Sequence, residues 1–368
     1  MHEHKHNQCK RKVKHRKNVM KLIIFCITVG IVFLYAYYQN LRKEIDARQK
    51  WLETVLAGEK KWILENQGSE GEIYMNGSEA GDVNPYFACM AALGLLAETK
   101  NCPMTETEKK SVDRYLDWHT GILLETDGKM GIYRKESGKL IYKEKADSED
   151  GYLGMYLFLM GKYLEKTEST DLPEYWKKGI SLALKKIQSL MQDGITQVSE
   201  ENTTAYLMDN LEVWTGLHEL ELAGLEDTQA ISEIRKKIQK QIEKIFWDDA
   251  NQRWRIIGNS DLYDQTEFYP DGVAQIYPLI YEFPVKERKK QKVLYDQFTE
   301  RFQWQKLNKK RTGFLWAMTG MAAAQMRDIN NLVELIENYE TEYCENRKYP
   351  LYTGEAGWIC MELSLIHI

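Results

Sequence analysis

Histidine is nearly absent from most of this chain. Of seven in 368 residues, only His119, His218 and His367 lie beyond position 21, too few for a histidine-built metal centre or a Ser-His-Asp triad. No glycine-rich phosphate loop is present. The six cysteines contain no CxxC pair and no zinc-ligand spacing, so neither a metal site nor a disulfide framework is indicated, and no cofactor is expected. Positive charge is concentrated at one end. Residues 1–21 carry eight Lys or Arg against one Glu, a balance of +7, so the rest of a chain whose total is −5 stands at −12. An acidic body of that kind repels a phosphate backbone and argues against nucleic acid as a partner.

The chain is otherwise globular in composition, with 43% hydrophobic and 29% charged residues. One segment stands apart. LIIFCITVGIVFLYAYY, residues 22–38, holds no charge over 17 positions, at the short end of what spans a bilayer. Basic residues precede it and no small-residue cleavage site follows. It therefore reads as a transmembrane signal anchor with the basic tail 1–21 in the cytoplasm and the body outside the cell, the alternative being a cleaved signal peptide. Residues 39–44 would be a juxtamembrane linker. The last six residues, LSLIHI, resemble the translation of a transposase end sequence used in preparing sequencing libraries. The native ectodomain is thus expected over 45–362, with 363–368 an artefact of the reading.

Past the linker, periodicity predicts twelve helices, near 45–66, 84–99, 106–119, 148–166, 173–191, 203–223, 228–247, 271–283, 286–303, 313–326, 328–344 and from 355 onward. Two kinds alternate. PYFACMAALGLLA, GYLGMYLFLMGKYL and GFLWAMTGMAAAQM are apolar on every face, as a helix surrounded by others must be. AISEIRKKIQKQIEKIF instead places isoleucines at spacings of three and four with charge elsewhere, which marks a one-faced outer helix. The loops leading into the inner helices, SEGEIYMNG, DGKMGIYRKESGKLIY, QDGITQVSE and NQRWRIIGNSD, each pair a Gly or Asn turn with a short strand. Six such hairpins describe an all-α (α/α)6 toroid with short β-turn strands in its loops. All inner-helix N-termini then open on one face.

This pattern, with VNPYFACMAALGLL, ADSEDGYLGMYLFL, MDNLEVWTGL, YPDGVAQIYPL and EAGWI at or near inner-helix starts, resembles the six-hairpin glycosidase superfamily, and most nearly glycoside hydrolase family 8. SEGEIYM (69–75) resembles that family's SEGQxYGM, whose Glu, the general acid, falls on Glu70. ADSED (146–150) resembles its acidic A-[ST]-D-[AG]-D box with a different spacing of the acids. The resemblance implies glycoside hydrolysis, with inversion favoured.

Glycoside hydrolysis needs two carboxyl groups, one protonated to assist the leaving oxygen and one to activate water or attack carbon. The catalytic candidates are Asp147, Asp150, Asp209 and Glu72. Asp147 is also a good helix cap, and Asp150 is equally a loop-end acid. Asp209 and Glu212 interrupt an otherwise apolar surface, where a carboxylate must be paired, protonated or reached by ligand. Glu72 has no evident capping role. Substrate-binding candidates are Tyr86, Tyr152, Glu212, Trp214, Tyr269, Asp271, Glu355 and Trp358, the rings because sugar faces stack on them. Core packing, or capping for the acids, competes at each. The reading is a membrane-anchored extracellular hydrolase with a monomeric ectodomain acting on a poly- or oligosaccharide. Its rivals are a non-catalytic glycan-binding or assembly protein on the same toroid, and a protein-interaction toroid.

Overall fold

The computed structural model describes residues 2–76, 81–137, 139–169, 171–225, 228–258, 260, 262–286, 288–307, 314–347 and 350–366, leaving aside the side chains of 2–19, 22–24 and 26. The chain forms two units, Met1–Thr54 and Val55–His367. One helix, α1 (His2–Glu65), makes up the first and opens the second.

In the first unit, Phe25, Ile27, Ile31, Val32, Phe33 and Leu34 are each more than half exposed. Among the described residues no helix is long and apolar enough to cross a membrane, so the anchor expected over 22–38 gains no support there. The uncharged run, 17 residues long, stands at the short end of the ~17–25 that span a bilayer, and the side chains of 22–24 and 26 lie outside the description.

The second unit is the toroid. Its inner helices are α2 (Pro85–Leu96), α4 (Glu149–Thr167), α6 (Leu207–Leu222), α8 (Tyr277–Ile280), α10 (Thr319–Met326) and α12 (Thr353–Leu365). Between them run α3 (Glu106–Glu125), α5 (Glu174–Leu190), α7 (Thr228–Phe246), α9 (Arg288–Phe302) and α11 (Ile329–Tyr339). Each inner helix packs on the next, and α12 packs back on α2, so the ring closes. Burial follows the expected alternation: fourteen of the nineteen residues of α4 are buried, against five of the nineteen of α7.

Two inner helices differ from expectation. The stretch 271–283 is broken, because Pro278 has no N–H to give the carbonyl of residue 274, and only Tyr277–Ile280 forms a regular turn. The helix expected from 313 begins at Thr319, and Trp316 before it takes a left-handed φ of 60°.

Short strands sit where the outer-to-inner loops were expected to carry them. β1 (Asp82–Val83), β2 (Gly131–Glu136) and β3 (Lys139–Lys145) form an antiparallel sheet in that order. β4 (Met191–Gln192) pairs with β5 (Ile195–Thr196) across Asp193-Gly194, both at positive φ, as a tight hairpin requires. β6 (Trp247–Asp248) pairs with β7 (Arg253–Trp254).

Closure also has a polar lock. Glu59 near the end of α1 is fully buried; it accepts a hydrogen bond from Tyr339 Oη at 2.7 Å and pairs with Arg347, whose guanidinium lies 4.9 Å from the Trp62 ring centre.

Glycines set the spacing of the inner ring. A Cβ on Gly154 would lie 2.7 Å from the Val213 nitrogen, and one on Gly94 would lie 2.5 Å from the Cα of Gly357. Both neighbours are backbone and cannot yield. Gly154→Ala is therefore expected to cost about 1–3 kcal/mol, read as a lower urea midpoint. Gly121→Ala in α3, with open space around it, should stabilise by about 0.5–1 kcal/mol.

Candidate active site

The inner-helix starts converge on a cleft of about 210 Å³. Its acidic wall comes from Asp147 and Ser148 at the head of α4, Asp209 in the first turn of α6 and Glu355 in the first turn of α12. The aromatic wall is Tyr86, Phe87, Tyr152, Tyr269, Phe314, Trp316 and Trp358. No Lys or Arg is among the described lining residues.

Each acid has a distinct setting. Asp147 is solvent-exposed. Ser148 is the N-cap of α4 and accepts from the Gly151 amide. Asp209 retains 6% of its exposure. Burial, then the negative charges of Asp150 and Glu212, push its carboxyl well above the ordinary range. Glu355 accepts hydrogen bonds from the amides of Trp316 at 3.2 Å and Ala317 at 2.8 Å, so it fixes the segment that carries the aromatic wall. Its burial pushes it up to about 7 against those amides.

Glu212 lies behind the cleft, with no exposed surface. Its Oε1 accepts from the Tyr86 and Tyr281 hydroxyls, the latter at 2.6 Å, while Oε2 has no hydrogen-bond partner. Burial raises it to about 8.

The rings form a continuous surface. Tyr269 packs on Trp316 with centroids 4.6 Å apart, Phe314 stacks on Phe87 at 5.5 Å, and Tyr86 meets Tyr152 at 5.5 Å. Tyr269 is 42% exposed and offers a free face at the mouth.

Of the residues expected to act, Asp147 and Asp209 reach the cleft, and Asp150 and Glu72 do not. Asp150 is fully buried; its Oδ1 accepts from Ser148 and the Gly151 amide, its Oδ2 from Thr196 at 2.7 Å, so it ties α4 to β5. Glu72 is fully buried in the first loop, accepting from Tyr74 Oη at 2.7 Å and the Glu70 amide, with Lys135 Nζ at 3.7 Å. Glu70, where the family 8 likeness puts the acid, is exposed and does not line the cleft. Among the binding candidates, Tyr86, Tyr152, Tyr269, Glu355 and Trp358 line it. Trp214 is core, stacked on His218 at 4.9 Å, and Asp271 accepts from the Asp264 amide beside a separate surface hollow. Sequence reasoning missed Phe87, Met208, Phe314, Trp316 and Tyr281. Phe87 was discoverable, being a large ring beside Tyr86, already singled out.

The ring of six helical hairpins with its acidic mouth is the six-hairpin glycosidase fold. Solved structures bear this out: a glycosidase studied as several variants aligns with a TM-score of 0.62 at 12% identity, over 87% of this chain and 99% of its own. An α-amylase from Clostridium perfringens aligns at 0.55 and 12% identity, over 86% and 98%. The GH76A α-1,6-mannanase from Salegentibacter sp. HEL1_6 aligns at 0.54 and 11%, over 85% and 98%. No family model and no curated protein matches the sequence.

The raised carboxyls set a pH dependence of stability. Glu355 and Glu212 hold protons in the folded state that they lose near 4.5 when unfolded. The folded state thus binds more protons between pH 4.5 and about 8, and stability falls with rising pH in that window. The contribution is complete below 4.5 and is lost as pH passes about 7 for Glu355 and about 8 for Glu212. Thermal unfolding should show Tm declining from pH 5 to 8.5, and the double variant Glu212→Gln/Glu355→Gln should flatten that decline.

Proposed function

We propose that this protein is a glycoside hydrolase acting on a poly- or oligosaccharide, with Asp209 as the proton donor and Asp147 as the carboxylate that activates water. The observation that carries this is the pairing, in one cleft, of a buried acid with raised proton affinity and an exposed acid, faced by a wall of aromatic rings. A donor must hold its proton near working pH, and burial beside other acids achieves that for Asp209. The rings suit the apolar faces of sugars. Support also comes from proteins of the same fold: one glycosidase variant was solved with glucose, and an inactive mannanase variant with α-1,6-mannotetrose.

The catalytic body is held at the cell surface by residues 22–38, with the basic N-terminus inside. Supporting this are the uncharged 17-residue run, the basic residues before it and the exposed side chains of Phe25, Ile27, Ile31, Val32, Phe33 and Leu34. A helix apolar on all sides needs an apolar surrounding.

Purified protein incubated with a panel of bacterial cell-wall polysaccharides and exopolysaccharides should release reducing ends from at least one. Asp209→Asn and Asp147→Asn should each lower kcat by about 10²–10⁴-fold with the fold intact by circular dichroism. Glycan binding without reducing ends under any condition would make the protein a binding module instead. In cell fractionation the full chain should pellet with membranes and be released by detergent, not by high salt; release by salt alone would refute the anchor.

A further inference from the structure

A second hollow, of about 330 Å³ against 210 Å³ for the cleft, opens on the same face of the ring. Its walls come from two outer-to-inner loops, the β2–β3 hairpin before α4 and residues 200–201 before α6, with the last turn of α5 behind them. Only a short piece of chain separates the two cavities. Asp147 and Ser148 line the cleft, while Lys145 before them and Glu149 after them line the hollow. Two residues of extended chain cover at most about 7 Å, so a polymer that crosses the cleft at Asp147 is within reach of the hollow. The floor there is apolar, built from the buried side chains of Met130, Leu153 and Leu190. Its rim carries three Lys and three Glu among the described lining residues and so no net charge. Lys145 Nζ, for example, lies 2.9 Å from Glu201 and 3.4 Å from Glu149.

One aromatic ring borders this hollow. Tyr142, on the edge strand β3, is 56% exposed. It is seated against Gly131 of β2, where any Cβ would collide with the ring, and meets Tyr133 edge-on at 5.9 Å. Core packing does not account for a ring fixed in place and left open at a cavity. A neutral sugar suits all three features: its apolar face stacks on the ring, and its hydroxyls donate to carboxylates and accept from ammonium groups. An anionic ligand would call for a surplus of cations that the rim does not have. We propose that the hollow is a distal subsite, which holds a neutral stretch of the glycan chain whose other part occupies the cleft, with Tyr142 as its stacking ring. This rests on reading the cleft as a glycan site. A ligand long enough to reach both cavities engages the second intramolecularly, so the protein favours polymers over short oligosaccharides.

Affinity electrophoresis of the full-length protein in detergent tests this, in an Asp209→Asn background so that polymer is not consumed. The gels carry dextran, α-1,6-mannan or soluble starch, with alginate as the anionic comparison. Tyr142→Ala should weaken binding to at least one neutral polymer by about three- to tenfold, and Tyr142→Phe, which keeps the ring, should not. Calorimetric titration with the trisaccharide of that polymer should give one affinity for all three proteins, because a short ligand fills the cleft alone. Equal retardation of Tyr142→Ala and its parent, retardation by no neutral polymer, retardation by alginate alone, or an equal loss for the trisaccharide would each overturn the proposal. Tyr142 is exposed on an edge strand, so its truncation leaves the core in place, and circular dichroism checks this. The hydrolase reading fails separately. With Asp209 restored, polymer binding that depends on Tyr142 but yields no reducing ends would mean a binding protein with two subsites, whereas cleavage of polymer undiminished by Tyr142→Ala would mean a hydrolase without the distal one.

Discussion

The approach of α4 to α6 governs the rest of this structure. Gly154 on α4 meets the backbone of Glu212 and Val213, and Gly161 a turn and more along meets Glu219 and Leu220. Small residues at both levels let two largely buried helices lie backbone to backbone. At their N-terminal ends the same closeness leaves Asp150, Asp209 and Glu212 little room to avoid each other. The chemistry of the mouth is therefore a consequence of packing below it.

Buried acids are handled in two ways in this chain. Glu59 is given Arg347, and Glu72 has Lys135 and Tyr74, so each is neutralised in place. At the cleft, among the described residues, no such partner is provided, and hydroxyls and amides are the donors. An uncompensated carboxyl is costly to hold ionised, so these groups hold protons instead.

Much of this was legible in the sequence. The alternation of all-apolar and one-faced helices gave the ring, since it reports local burial directly. The limits of α4 and α7 agree with their periodicity to within a residue or two. The broken stretch at Pro278 was legible in principle, since proline removes a donor wherever it falls. Asp209 stood out as a break in an apolar surface. Separating Asp147 from Asp150 was beyond local pattern, because Asp150 is drawn inward by Thr196, 46 residues away. Tyr281, 69 residues from Glu212, is likewise a tertiary partner. Glu72 was different: its partner Tyr74 is two positions along, and strand alternation puts both on one side.

Ring closure fixes when the cleft can exist during synthesis. Tyr86 and Phe87 leave the ribosome early, yet the wall opposite them is carried by Glu355 and Trp358, which emerge more than 250 residues later. Until that last segment docks, α2 has an apolar flank with no cover. The nascent chain must therefore shield that flank by some temporary means, and the cleft comes into being only when the two ends of the toroid meet.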